Sequence, residues 1–159
     1  PANGIVQGMR PIIGYNYGAG ESSRVKSTIR YSLLTAAGLM LTGTILALAL
    51  PKQILALFDA DAALMSAGIT ALRIISLGFL VSSVGLIYSG VFEAIGNGRN
   101  SLIISLLRQF VITIPLSFIL TRFFGPTGVW ISFPVGELCA SAAAFCLLKK
   151  YQNGAFSPL

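Results

Sequence analysis

Residues 31–50, YSLLTAAGLMLTGTILALAL, form a run of about 20 residues without a charged side chain. A helix of that length rises about 1.5 Å per residue and crosses about 30 Å of hydrocarbon. The stretches 101–121 and 128–148 are as long and contain one charge each, Arg108 and Glu137. The whole chain is 55% hydrophobic and 10% charged, whereas soluble domains carry about 25% charge. The sequence therefore predicts an all-α fold, a polytopic bundle of transmembrane helices.

The predicted segments are bounded by glycines, prolines and clusters of charge. They are the end of a transmembrane helix at 1–17, spans at 31–50, 69–95, 101–121 and 128–148, an outer interfacial segment at 52–66, and a cytoplasmic tail at 149–159. A short polar connection at 18–30, expected to be helical over ESSRVKSTIR (21–30), precedes the first complete span. Because the chain begins inside a helix and without an initiator methionine, we expect it to be a piece of a longer protein.

The net charge of +6 is distributed unevenly along the chain. If successive spans alternate in direction, one side receives Arg24, Lys26, Arg30, Arg99, Lys149 and Lys150. The other side receives Lys52 and Arg122, with Arg73 near its entry. An excess of Lys and Arg marks cytoplasmic loops, so we expect a multi-pass membrane protein with a cytoplasmic C-terminus. Topology accounts for the basic charge without a nucleic-acid partner, and membrane lipid is the expected surrounding.

Two faces can be drawn on the opening helix at 100° per residue. A polar stripe contains Asn3, Gln7, Arg10, Gly14 and Tyr17. An adjoining face contains Gly4, Gly8, Pro11, Gly14 and Gly18, and small residues of this kind let a neighbouring helix approach closely. We expect this glycine face to pack against another helix. The polar stripe either lines a water-filled cavity or anchors the helix end at the cytoplasmic interface.

Glu137 lies about 11 residues, roughly 16 Å, from the cytoplasmic end of its predicted span. A carboxylate at that depth must be protonated, paired or in water. Arg108 lies roughly 10 Å inside the preceding span from the same side, so an Arg108–Glu137 pair is expected, with Glu93 as a rival partner for Arg108. The pair is either a structural salt bridge or part of a substrate or proton site.

No arrangement for enzyme chemistry is visible in the sequence. There is no histidine, which removes the most common general base and metal ligand. Zinc-protease and phosphate-loop motifs and Ser/His pairs are also absent. We therefore predict a protein that is not an enzyme, with no bound metal and no cofactor.

Five stretches resemble a known family in order along the chain. They are GIVQGMRPIIGYNYGAG (4–20), PKQILALFDAD (51–61), FEAIGNGRNS (92–101), LLRQFVITIPLSFIL (106–120) and FGPTGVWISFPVGE (124–137). Together they resemble helices eight to twelve of the multidrug and toxic compound extrusion (MATE) family, in its MepA-like or DinF-like bacterial branch. The resemblance implies most of the carboxyl-terminal lobe of a two-lobe transporter, without the first helix of that lobe.

The resemblance also implies a function. A MATE protein is an antiporter that expels bulky, often cationic, drugs and toxins by alternating access, driven by inward H⁺ or Na⁺. The family's best-known coupling acids lie outside this chain. The implied partners are the amino-terminal lobe and the missing first helix of the carboxyl-terminal lobe. A lipid-linked oligosaccharide flippase of the same superfamily and a non-transporting membrane scaffold remain alternatives.

The candidate groups for the substrate and ion pathway are polar residues of the predicted helices. They are Glu137, Arg108, Glu93, Gln7, Arg10, Tyr15, Asn16 and Tyr17. In this hypothesis Glu137 binds a cation or a proton, Arg108 tunes its charge, and the leading helix lines the central cleft.

Overall fold

The computed structural model describes residues 2–58 and 61–155. Every regular element in this part of the chain is helical, which confirms the all-α class. The elements are α1 (Ala2–Gly18), α2 (Ser22–Ala49), α3 (Pro51–Ala56), α4 (Ala62–Ser76), α5 (Phe79–Ala94), α6 (Gly98–Leu106), a π-helix (Leu107–Thr113), α7 (Ile114–Phe124) and α8 (Pro126–Ala155).

Short turns with glycines in the left-handed region separate the long helices. Gly20, Gly96 and Gly125 have φ values of +74°, +77° and +58°, which side chains with a Cβ rarely adopt. After Gly125, Pro126 opens α8, where its fixed φ suits the first helical turn. The turns therefore lie where the sequence predicts them.

The predicted connection at 18–30 is mostly helix. Residues from Ser22 onward form the first turns of α2, which continues without a break to Ala49. The segment contains no proline or glycine after residue 20 until Gly38, and it buries Val25 and Ile29. One helix thus carries both the polar connection and the first span.

The predicted single span at 69–95 is broken. α4 and α5 meet at a bend of 53°, where the Leu77 and Gly78 amides donate to Ile74 O and Ile75 O, three residues back. A Cβ on Gly78 would lie 3.0 Å from the Cα of Pro134 on α8. The described residues contain three helices long and apolar enough to cross a membrane, or four if the bent pair counts as one span.

Two other predicted segments have different boundaries. The outer interfacial segment at 52–66 comprises α3 and the start of α4, and its residues 59–60 lie outside the described residues. The predicted tail at 149–159 continues α8 as far as Ala155, and residues 156–159 lie outside the described residues. Leu148 is buried, and the Tyr17 and Tyr151 hydroxyls are 2.9 Å apart, which ties the extension of α8 to α1.

The core lies where α1, α2, α5 and α8 meet. Its members are buried apolar side chains that include Val6, Met9, Ile13, Val25, Ile29, Ile87, Val91 and Phe92. Gly90 of α5 lets α1 approach, because a Cβ there would lie 2.6 Å from Val6 Cγ1 and 2.7 Å from Met9 Cε. This packing sets Arg10 of α1 beside the end of α5.

The prediction of a glycine packing face on α1 is wrong for the described part of the chain. A Cβ on Gly4, Gly8 or Gly18 would meet no atom within 4 Å, and only Gly14 is close to another helix, at 3.1 Å from the carbonyl oxygen of Ala94. The buried side of α1 contains Ala2, Val6, Met9, Ile13 and Asn16. Apolar side chains bury more surface than glycines do, and they turn the glycine face outward.

Candidate functional site

Two polar clusters join helices within the described residues. We call Arg10, Glu93, Ser101 and Ser89 the Glu93 cluster. We call Glu137 and Arg108, with Thr113 beside them, the Glu137 cluster. Each contains a salt bridge between helices that are distant in sequence.

The Glu93 cluster connects the middle of α1 with the C-terminal end of α5 and the first turns of α6. The guanidinium of Arg10 donates to Glu93 Oε2, and the Ser101 hydroxyl donates to Glu93 Oε1 over 2.7 Å. The oxygens of Ser89 and Ser101 are 2.8 Å apart. Ser89 lies one turn before Glu93 on α5, and the Gly96 turn brings Ser101 back beside both. The arrangement links α1 to the turn between α5 and α6.

This cluster overturns one expectation from the sequence. Glu93 is not a partner for Arg108, because its carboxylate is engaged by Arg10 and Ser101. The predicted Arg108–Glu137 pair is present, with Arg108 Nη1 3.6 Å from Glu137 Oε2. The physical reason is the close packing of α1 on α5 at Gly90, which places Arg10 beside Glu93.

Each cluster has one buried polar atom without a hydrogen-bond partner among the described residues, Arg10 Nε in the first and Glu137 Oε2 in the second. Only the Glu137 cluster lacks a hydrogen bond between its two charged groups. The separation of 3.6 Å is an ion-pair distance but too long for a hydrogen bond. Glu137 Oε2 is buried and has no hydrogen-bond partner among the described residues. Both side chains are about three-quarters buried, with relative exposures of 27% for Arg108 and 24% for Glu137. A buried carboxylate oxygen in this state can accept a proton or a cation.

The π-helix shapes the surroundings of Glu137. It runs over Leu107–Thr113, and the Thr113 hydroxyl donates to the Arg108 carbonyl over 2.6 Å. Gly136 of α8 is packed directly against Thr113 and the Arg108 backbone. π-helical turns inside α-helices often occur at functional sites. One local signal for this turn is Pro115, whose missing amide weakens the helix just before it.

The candidates on α1 fall into three environments. Gln7 and Tyr15 are exposed, and Tyr15 is 77% accessible. Asn16 is buried and donates its side-chain amide to the Ile12 carbonyl over 2.8 Å. Arg10 and Tyr17 reach other helices, through Glu93 and Tyr151. The predicted polar stripe is therefore split, because Arg10 and Tyr17 border the buried side of α1 whereas Asn3 and Gln7 lie farther round.

The sequence reasoning missed Tyr151 and Thr113. Tyr151 lies in the segment predicted as a polar tail. No local pattern indicates its hydrogen bond to Tyr17, which is 134 positions earlier in the sequence. Thr113 lies within a predicted span, where a single threonine carries no signal of its own.

Comparisons with known proteins identify the family of proteins in which these clusters occur. The family model described as MatE matches residues 1–119. The chain belongs to the MATE family. MATE proteins are transporters, and the family resemblance seen in the sequence is thereby confirmed.

Among curated relatives, the multidrug export protein MepA of Staphylococcus aureus strain N315 is 30% identical over 141 residues, covering 88% of this chain and 31% of that protein. MepA of Staphylococcus saprophyticus is 28% identical over 141 residues with the same coverage of both chains. This MATE chain therefore spans about a third of the length of these relatives.

Solved transporter structures share the fold. The MATE multidrug transporter DinF-BH has a TM-score of 0.88 and 32% identity, covering 99% of this chain and 35% of that chain. A MOP superfamily transporter from Pyrococcus furiosus has a TM-score of 0.92 and 22% identity, covering 99% of this chain and 36% of that one. The helix arrangement is that of a MATE segment within a multi-pass membrane protein.

Proposed function

We propose that this chain is part of a cation-coupled multidrug efflux antiporter of the bacterial plasma membrane, with its C-terminus in the cytoplasm. The transporter exports bulky, often cationic, compounds by alternating access, and H⁺ or Na⁺ is the coupling ion. Membership of the MATE family supports the proposal, as do relatives named multidrug export proteins. The remaining helices, including an amino-terminal lobe and the first helix of the carboxyl-terminal lobe, complete the transporter.

The observation that carries the coupling role is the incompletely bonded carboxylate of Glu137. Its Oε2 is buried without a hydrogen bond among the described residues, and Arg108 is 3.6 Å away. Binding a proton or a cation neutralises a carboxylate that is held by an ion pair without a hydrogen bond among the described residues. Binding also weakens the attraction to Arg108, so α8 and the π-helix are free to shift. Ion binding is thereby coupled to a change in packing.

The exposed side chains of α1 are suited to contact the transported drug. Gln7 and Tyr15 face away from the core, where α1 would line the cleft between the two lobes. An exposed tyrosine ring attracts a flat organic cation through its π-face. The Glu93 cluster, together with the Tyr17–Tyr151 bond, holds α1 in place beside this cleft.

The two alternatives are less well supported. A flippase for lipid-linked oligosaccharides needs free cations along its groove, but Arg10 and Arg108 both form salt bridges within the described residues. A scaffold without transport would leave its intramembrane polar groups mutually satisfied. Glu137 Oε2 does not meet that condition in the part of the chain that the structure describes.

The test is Glu137→Gln in the full-length protein, reconstituted in liposomes with an imposed proton or sodium gradient. We expect gradient-driven drug efflux to fall at least roughly tenfold, the effect of about 1.4 kcal/mol on a rate-limiting barrier, while Glu137→Asp retains part of it. Glu21→Gln is the matched control, because Glu21 is an exposed acid outside the spans. Unchanged coupled efflux in Glu137→Gln at equal protein amounts would show that Glu137 is not the coupling group.

A further inference from the structure

One face of α2 changes character along its length. Ser23, Lys26, Ser27 and Arg30 recur at i, i+3, i+4 and i+7, so they share one side of the helix. These four side chains line a surface groove of about 400 Å³. Continuing the same spacing leads to exposed apolar side chains at Leu34, Leu41, Ile45 and Leu48. A polar, basic end is thus continuous with an apolar surface.

The opposite face of α2 packs against the bundle. Its buried members are Val25, Ile29, Ala36 and Ala47. The salt bridges of the described residues join Arg10 to Glu93 and Arg108 to Glu137, so neither Lys26 nor Arg30 is neutralised by an acid there. Within that part of the chain, two cations without an acidic partner therefore lie side by side on the outward face.

The position of the charge change matches the edge of a membrane. Tyr31, directly after Arg30, is 69% exposed, and tyrosines are enriched at the boundary between lipid and water. From Arg30 to Leu41 the helix rises roughly 16 Å. That is about half of the 30 Å hydrocarbon core, so it is the depth that the acyl chain of one leaflet reaches.

We propose that this face, the lipid stripe of Ser23, Lys26, Ser27, Arg30, Leu34 and Leu41, binds an anionic phospholipid of the cytoplasmic leaflet. Lys26 and Arg30 hold the phosphate, and the two serine hydroxyls donate to its oxygens. An acyl chain lies along Leu34 and Leu41. Charge complementarity selects the occupant, since the cytoplasmic leaflet is the anionic one and juxtamembrane Lys and Arg are attracted to it. The inference does not depend on the proposed transport activity, but the choice of leaflet rests on the proposed orientation of the chain.

The experiment uses the full-length protein in nanodiscs of equal phosphatidylcholine and phosphatidylglycerol, with retained lipid counted by native mass spectrometry. We expect phosphatidylglycerol to be retained in preference to phosphatidylcholine. Lys26→Gln or Arg30→Gln should each lower that preference about fivefold, and the double variant roughly thirtyfold. Leu34→Asn should reduce the retention of phosphatidylglycerol without changing the charge of the site.

Arg24→Gln is the matched control, because Arg24 is an exposed cation at the same helix end but lies on another face. It should leave the preference within about twofold of the wild type, since it removes a charge that does not line the groove. Glycerol phosphate, which has the headgroup charge without acyl chains, should not displace the bound lipid.

Three results would overturn the lipid stripe. One is an unchanged preference in the double variant, and another is an equal loss in Arg24→Gln. The third is a wild-type protein that retains no phosphatidylglycerol. If the double variant then also melts at a lower temperature in phosphatidylcholine alone, another part of the protein covers the face.

Discussion

Gly136 determines how closely α8 approaches the π-helix. A side chain at this position would overlap the Thr113 hydroxyl and lie 3.5 Å from the carbonyl oxygen of Arg108. The missing Cβ therefore lets the following residue, Glu137, come within ion-pair distance of Arg108. At the scale of single residues, the proposed coupling site depends on a glycine as much as on its charges.

We predict that Gly136→Ala destabilises the full-length protein by about 1–3 kcal/mol, the usual cost of overpacking. The added methyl group must displace Thr113 or separate α8 from the π-helix. Thermal melting in nanodiscs measures the loss, and a second change, Thr113→Ala, should recover part of it because it removes the nearest atom.

Gly38→Ala serves as the control for this overpacking. Gly38 is exposed on α2, and a Cβ there meets no atom within 4 Å. Its melting temperature should equal or exceed that of the wild type, since alanine favours a helix over glycine by about 1 kcal/mol. If Gly136→Ala melts at the same temperature as Gly38→Ala, the close approach of α8 does not occur.

At the scale of elements, the Arg10–Glu93 salt bridge fastens α1 to α5. Both side chains are about two-fifths exposed, at 42% and 37%, so solvent screens their attraction. A double-mutant cycle of Arg10→Gln and Glu93→Gln should give a coupling free energy of about 0.5–1 kcal/mol. Denaturant or thermal unfolding of the four proteins measures it.

A cycle that pairs Arg10→Gln with Glu21→Gln provides the comparison. Glu21 lies in the turn between α1 and α2 and forms no salt bridge within the described residues. These two changes should be additive. Equal coupling in both cycles would indicate a general charge effect rather than a specific link between α1 and α5.

Local sequence predicts some elements and not others. Uncharged runs predict the spans because hydrocarbon thickness fixes their length, and helical rise predicts that Arg108 and Glu137 lie at similar depth. The bend at Leu77–Gly78 depends on Gly78 meeting Pro134, a contact between residues 56 positions apart. Periodicity within one helix does not contain that information. For the same reason it does not identify Arg10 as the partner of Glu93.

For the whole molecule, the distribution of positive charge predicts orientation. Lys52 and Arg99 are both exposed and lie at opposite ends of the predicted topology. In intact cells, a membrane-impermeant maleimide should label Lys52→Cys and not Arg99→Cys. The exposed Cys139 and Cys146 are first replaced by alanine. Labelling of Arg99→Cys in sealed cells, with Lys52→Cys protected, would reverse the orientation and the leaflet assigned to the lipid stripe.

The length of α8 has a consequence for the membrane around it. Its 30 residues measure roughly 45 Å, about 15 Å more than an average hydrocarbon core. A helix with such an excess tilts, or projects into water, to an extent that depends on bilayer thickness. Because Glu137 and Tyr151 lie on this one helix, the acyl-chain length of the host lipids acts on the polar contacts at both positions. We therefore expect bilayer thickness to influence the geometry of these two contacts.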